Sequence, residues 1–210
     1  MRKFILIVAL MFWSIQSCLA AEIHEEIFNS NEDLKYPVVH VADKKVEQKI
    51  NGAIIAEIDR FLTAVYRNAQ VNDFEVAGIY TNYEIGSNEA GNTIILSVLL
   101  TESNYFKGAA HPSTYLRALN FNLSSGEIMG MDYLLEVGEG LREGYLLERL
   151  NQKLVEKVER EKLFLFPEAL PLKKLPQDFY WDENLHVHFI FQQYEVAPYA
   201  VGIIDVDIDA

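Results

Sequence analysis

The segment Thr93-Ile94-Ile95-Leu96-Ser97-Val98-Leu99-Leu100 restricts the fold more than any other stretch of the chain. Successive side chains of a strand point to opposite faces, and here odd and even positions are both apolar. Neither face of such a strand can be left in water, so it belongs at the centre of a sheet covered on both sides. A partner strand precedes it, with Ile79, Thr81, Tyr83 and Ile85 on one face, and Gly86 to Asn92 is rich in turn formers. Another follows from Tyr115 to Leu123, where Tyr115, Arg117, Leu119, Phe121 and Leu123 alternate before a turn at Ser124-Ser125-Gly126-Glu127 and a continuation into Ile128-Met129.

Two helical stretches are available to cover this sheet. From Asp43 the apolar period changes to three or four: Val46, Ile50, Ile54, Ile58, Phe61, Leu62 and Val65 form a stripe, with Asp43 placed to cap the helix start. A second helix is expected from Glu139 to Leu163, with Leu141, Tyr145, Leu150, Leu154 and Val158 buried and Glu156/Arg160 and Lys157/Glu161 as exposed i,i+4 pairs. Leu34 to Val41 reads as a strand that Pro37 confines to an edge position. Beyond the breaks at Pro167, Pro171 and Pro176, strands are expected at Phe179-Tyr180-Trp181, Leu185 to Gln192 and Ile203 to Ile208. Helices flanked by meandering strands give an α+β class: two small α+β subdomains, with antiparallel sheets packed on two main helices. No glycine-rich phosphate loop follows a strand, so nucleotide binding has no support.

The N-terminus has a different character. Arg2 and Lys3 precede an apolar run from Phe4 to Trp13 and a polar stretch ending in Leu19-Ala20-Ala21, the order of a secretory signal peptide over residues 1–20 with cleavage after Ala20. The run is shorter than the ~20 residues a membrane span requires, so no transmembrane span is expected in the mature protein. Cys18 is the only cysteine, and Ile15-Gln16-Ser17-Cys18 resembles a bacterial lipoprotein cleavage motif. The expected location is therefore outside the cytoplasm: periplasmic, or an outer-membrane lipoprotein if Cys18 is lipidated. Discarding residues 1–20 removes two cations and no carboxylate, which makes the formal charge of −13 more negative still. Nucleic acid is not a fitting partner for that charge, whereas a basic protein is; an acidic surface serves solubility equally well.

Four places carry candidate chemistry. Gly108-Ala109-Ala110-His111-Pro112 holds a histidine before a proline, and His111 can act as a base, a ligand or a recognition contact, or can simply hold a turn. His186 and His188 share one face of a strand, a metal-compatible pair only if a third ligand arrives from elsewhere. Asp205, Asp207 and Asp209 alternate with Ile204, Val206 and Ile208; their oxygens are spread along a line rather than around a calcium ion, so a solvated strand face is expected. Tyr194, Glu195 and Tyr199, within Gln192 to Gly202, are placed either to contact a ligand or to cap the core. No catalytic set, metal site or cofactor is assigned.

Tyr105-Phe106-Lys107-Gly108-Ala109-Ala110-His111-Pro112, Leu119-Asn120-Phe121-Asn122-Leu123-Ser124-Ser125-Gly126 and Tyr194-Glu195-Val196-Ala197-Pro198-Tyr199-Ala200-Val201-Gly202 together resemble the RsiV-like domain. This is a domain of unknown function found outside the membrane in an anti-sigma factor and beside the catalytic domain of some peptidoglycan deacetylases. The resemblance runs from about Tyr36 to Ile208 and departs from the family at Ala109, where a second glycine is usual. It implies an N-terminal α+β part over residues 21–105 and an RsiV-like α+β part over residues 106–210. In the anti-sigma factor that gives the family its name, the domain binds lysozyme, a basic protein. The implied function is an exported cell-envelope binding domain for lysozyme-like enzymes or peptidoglycan fragments, using His111, Tyr194, Glu195 and Tyr199. The alternatives are a cell-wall glycan hydrolase with Glu195 as acid or base, and a structural envelope module without a soluble ligand.

Overall fold

The computed structural model describes residues 20–88, 94–137 and 143–210. The expected signal peptide, apart from Ala20, lies outside these residues, as do Cys18 and Leu141. No helix among the described residues is long and apolar enough to cross a membrane.

The class is α+β. Strands β1 (Glu22–Ile27) and β2 (Lys35–His40) form an antiparallel ribbon in which Pro37 stands opposite Glu25. Helix α1 (Lys44–Asn72) follows, and Asp43 caps it by accepting hydrogen bonds from the Lys45 and Val46 N–H groups. Strands β3 (Val76–Asn88), β4 (Ile95–Phe106) and β5 (Ser113–Asn122) make a three-stranded antiparallel meander with β4 in the middle. Helices α2 (Met131–Val137) and α3 (Glu143–Glu161) lead to a second meander of β6 (Asp178–Trp181), β7 (Val187–Phe191) and β8 (Ile204–Asp207), with β7 central.

Two apolar clusters sit on opposite sides of β4, as its two-faced sequence requires. Leu96, Val98 and Leu100 pack with Ile50, Ile54 and Ile58 of α1 and with Phe121. Leu99 meets Tyr180 and Ile190 of the second meander, while Ile95 joins the core in which Leu146, Leu150 and Leu154 of α3 cover Phe179, Phe189 and Val206. The strands β4 and β5 pair from Ile95↔Asn122 to Asn104↔Ser113, so this hairpin runs across the 105/106 boundary drawn from the sequence.

The second meander presents the edge of β6 to the face of the first. The Trp181 N–H donates to Ser97 Oγ at 3.1 Å and Asn120 Nδ2 donates to the Phe179 carbonyl at 2.8 Å. Ser97 Oγ in turn donates to Asn120 Oδ1 at 2.7 Å, so two buried side chains satisfy an edge that would otherwise lack partners. The close approach needs Gly86, where a Cβ would stand 2.6 Å from Trp181 O and 2.6 Å from the Tyr180 ring.

Three local expectations are corrected. The Gly86–Asn92 stretch is not wholly a turn, because β3 continues to Asn88 and the Asn88 side chain pairs with Ala21 in both directions, at 2.9 and 2.7 Å. The buried stripe of α3 contains Leu150 and Leu154 as expected, but one turn earlier it is Leu146 that is buried and Tyr145 is exposed. Asp205 and Asp207 do not form a merely solvated face, since both accept hydrogen bonds from histidines of β7 and the loop before it.

On the α1 side of the central sheet a chain of charges runs from the exposed Arg60 to the buried Glu102 and Asp178. Arg60 bridges Glu57 and Glu102, reaching Glu102 at 3.4 Å, and Arg117 reaches Asp178 at 2.9 Å and Glu57 at 3.9 Å. Burial, reinforced by Glu57, pushes the Glu102 carboxyl up to about 8. In its neutral form two guanidinium groups face two carboxylates, so the proton on Glu102 balances the cluster.

Candidate functional site

The β4–β5 connection and the β7–β8 connection meet at one end of the molecule. The first turns at Gly108, whose φ of +83° suits a residue without a Cβ. Ala109 is not among the positive-φ residues, so alanine fits where the resembling family has a second glycine. The turn delivers His111 against the second connection. Its ring stacks on Tyr199 with centroids 3.6 Å apart and planes 19° apart, and its Nε2 lies 3.1 Å from Tyr194 Oη. Nδ1 is 3.0 Å from the Pro112 carbonyl, which can only accept; a proton on Nδ1 leaves Nε2 to accept from the Tyr194 hydroxyl. Tyr194 has a φ of +66° and is 57% exposed, and its ring centroid is 6.0 Å from that of Tyr199.

Side chains of the second meander lock this junction to the free edge of β5. Gln192 pairs with the Leu116 backbone, accepting at 3.1 Å and donating at 2.8 Å. Gln193 accepts from the Thr114 N–H at 3.3 Å, and Asp178 accepts from the Ala118 N–H at 3.3 Å. An edge that could recruit another strand is thus occupied, and the tyrosine loop is held in register with His111.

Glu195 does not join the aromatic group. Its carboxylate accepts from the Gln192 N–H at 2.8 Å, closing the turn, and the residue is exposed. It lines a groove of about 390 Å³ together with Tyr115, Arg117, Lys174 and Asp178. Asp178 in that groove is committed to Arg117, the Ala118 N–H and Gln192. Of the four candidate residues, the fold assembles His111, Tyr194 and Tyr199 and sets Glu195 on an adjacent surface. The clamp residues Gln192, Gln193 and Asp178 were not legible as partners of β5, because nothing local marks which side chain will meet a distant strand edge.

The histidine pair has its own surroundings. His188 Nδ1 is 2.8 Å from Asp205 and 3.1 Å from Tyr180 Oη, and His186 Nδ1 is 3.1 Å from Asp207. Burial alone would lower the His188 pKa, but Asp205, Asp207 and Asp182 outweigh it and raise the value. Burial and the Asp205 carboxylate raise the Tyr180 phenol. No group of three or more His, Cys, Asp or Glu side chains among the described residues is set to hold a metal ion.

Residues 134–210, which contain the tyrosine loop and all of the second meander, match the model of a family described as a protein of unknown function (DUF3298). No curated protein matches the chain. Among solved structures, a member of the DUF3298 family from Bacteroides fragilis is similar at a TM-score of 0.52 and 16% identity, covering 89% of this chain and 87% of its own. A DUF3298 family protein from Pseudomonas aeruginosa is similar at a TM-score of 0.56 and 13% identity, covering 90% of this chain and 87% of its own. At such identities the likeness is one of fold, and it extends across nearly the whole chain. Residues 134–210 are thus similar to the DUF3298 family model, in a chain whose fold is similar to that of two DUF3298 proteins.

Proposed function

We propose that the protein is an exported cell-envelope binding domain that recognises a macromolecular ligand, with lysozyme-like enzymes or peptidoglycan fragments as the candidates, through the surface formed by His111, Tyr194 and Tyr199. The observation that carries the reading is the aromatic cluster itself, in which Tyr194 is exposed and His111 and Tyr199 are half-buried. Three rings from two connections are held by a stack and a hydrogen bond, with the loop clamped to β5. Rings fixed before binding lose little entropy on contact, which is what a recognition surface gains from such an arrangement. The RsiV-like resemblance supports lysozyme as a partner, and the formal charge of −13 suits a basic protein.

A second reading, a cell-wall glycan hydrolase, draws on the two carboxylates Asp178 and Glu195 that line one groove. A glycosidase needs one carboxyl group to hold a proton and the other to be free. Both groups here are committed to N–H donors of the protein itself, and Asp178 is also ion-paired to Arg117, so neither is free to face a substrate. Binding is therefore the primary proposal. Release of soluble fragments from peptidoglycan by the purified protein, lost on Glu195→Gln, would replace it with the hydrolase; binding without fragment release supports it.

A further inference from the structure

The second meander covers only part of the central sheet. Its contacts with Gly86, Ser97 and Asn120 leave open the end of the same face where β3, β4 and β5 carry Tyr80, Ser103, Tyr105 and Thr114. The register places Tyr80 opposite Ser103, Ser103 opposite Thr114, and Asn82 opposite Thr101, so these side chains form two rows across the strands. Ser103 and Thr114 share a hydrogen bond of 3.0 Å. Gly78 stands opposite Tyr105 and adds no side chain, and a groove of about 230 Å³ opens over Gly78, Tyr80, Ser103 and Tyr105. Tyr80 and Tyr105 are 40% and 37% exposed, and Tyr105 Oη donates to the Ala109 carbonyl at 3.0 Å, which fixes the ring against the turn that carries His111.

The chemistry of this face is unusual for so acidic a chain. Asp33 is the one charged residue lining the groove, and the rows of Tyr80, Asn82, Thr101, Ser103 and Thr114 bear no charge at neutral pH. A basic protein would find little to pair with here, and an anion would find no cation. Tyrosine rings offer flat apolar faces with a polar tip. Hydroxyl and amide groups both donate and accept. That combination matches a pyranose ring, which has an apolar C–H face and a rim of hydroxyls, and an isolated carboxylate such as Asp33 accepts readily from sugar hydroxyls. We infer that the groove over Gly78, between Tyr80 and Tyr105, binds a neutral oligosaccharide. The inference rests on the binding reading above and gives it a ligand class, but on residues separate from His111, Tyr194 and Tyr199.

The test is calorimetric titration of the purified protein with the hexamer of β-1,4-linked N-acetylglucosamine. Saturable binding is expected, equal at low and at moderate salt because no charge pair forms. Tyr80→Ala and Tyr105→Ala should each weaken it about tenfold, or ~1.4 kcal/mol. Gly78→Leu should block it outright; a Cβ there meets nothing closer than Tyr105 Cβ at 3.9 Å, so the added bulk enters the groove without a clash at its root, and a cooperative thermal transition checks that the variant is folded. No saturable heat at millimolar sugar, loss of binding with salt, or full affinity in Gly78→Leu would overturn the inference. Lysozyme binding that depends on Tyr194 without any sugar binding sinks the glycan site and leaves the binding reading standing; sugar binding without lysozyme binding does the reverse for the His111 surface.

Discussion

His111 and Tyr199, which come from the connections of two different sheets, stack with their ring centroids 3.6 Å apart. The contact makes one surface out of two connections that are distant in sequence, and it is the point at which the proposed recognition site and the packing of the two meanders coincide.

Removing that contact should cost little stability. Aromatic pairs contribute roughly 0.5–1.5 kcal/mol beyond burial, and for a chain of this size each kcal/mol shifts the melting temperature by about 2–4 °C. Tyr199→Ala is expected to melt a few degrees lower in a thermal scan with a cooperative transition intact. A loss of more than about 15 °C would show that the loop is a structural keystone rather than a recognition surface.

Gln192 should matter more than its exposure suggests. Its side chain both accepts from and donates to the Leu116 backbone. Gln192→Ala leaves those edge groups to water and loosens the tyrosine loop, at about 1–2 kcal/mol for the lost bonds. Hydrogen exchange at Leu116 should accelerate in the variant; unchanged protection would mean that the clamp is not what holds β5.

The seam between the meanders allows a sharper experiment. Gly86→Ala places a methyl group 2.6 Å from the Trp181 carbonyl, and overpacking of this kind costs about 1–3 kcal/mol. The urea midpoint should fall accordingly. No change would mean that β6 can lift from the sheet freely.

The pH dependence follows from two groups with raised folded values. Glu102 moves from 4.5 to about 8, so its contribution is complete below about 4.5 and is lost as pH rises through about 8. His188, also raised, contributes fully below its ordinary 6.5 and loses that contribution as pH climbs past its folded value. Asp182 and Asp207, held below the ordinary 3.8 by backbone N–H donors and by the histidines, act in the opposite sense and are lost as pH falls through their folded values. Stability should peak in mild acid and decline towards pH 9. Glu102→Gln, which keeps the neutral shape without the titration, should flatten the alkaline decline; an equally steep decline in that variant would rule out Glu102 as its source.

The legible part of this fold was what repeats along the chain. The two-faced apolar run gave the central strand, and the stripe from Val46 to Val65 with its Asp43 cap gave α1. Less legible was whatever depends on contacts between distant segments. Leu150 and Leu154 of α3 lie on the expected stripe, but one turn earlier packing on the second meander buries Leu146 and leaves Tyr145 exposed. The Tyr194 and Tyr199 loop and the His111 turn could each be singled out by composition. Their contact could not, because it depends on Gln192, Gln193 and Asp178 meeting the edge of β5. The Glu57, Arg60, Glu102 and Arg117 cluster was invisible for the same reason: each residue alone reads as an ordinary surface charge.

The central claim, recognition of a macromolecule through the His111, Tyr194 and Tyr199 surface, is tested most directly by calorimetric titration of the protein with lysozyme at low and at moderate salt, beside Tyr194→Ala and Tyr199→Ala. The account predicts saturable one-to-one binding that survives moderate salt and is weakened about tenfold or more in both variants, each of which retains its fold. Binding that disappears with salt, or that is equal in the wild type and the variants, would contradict it.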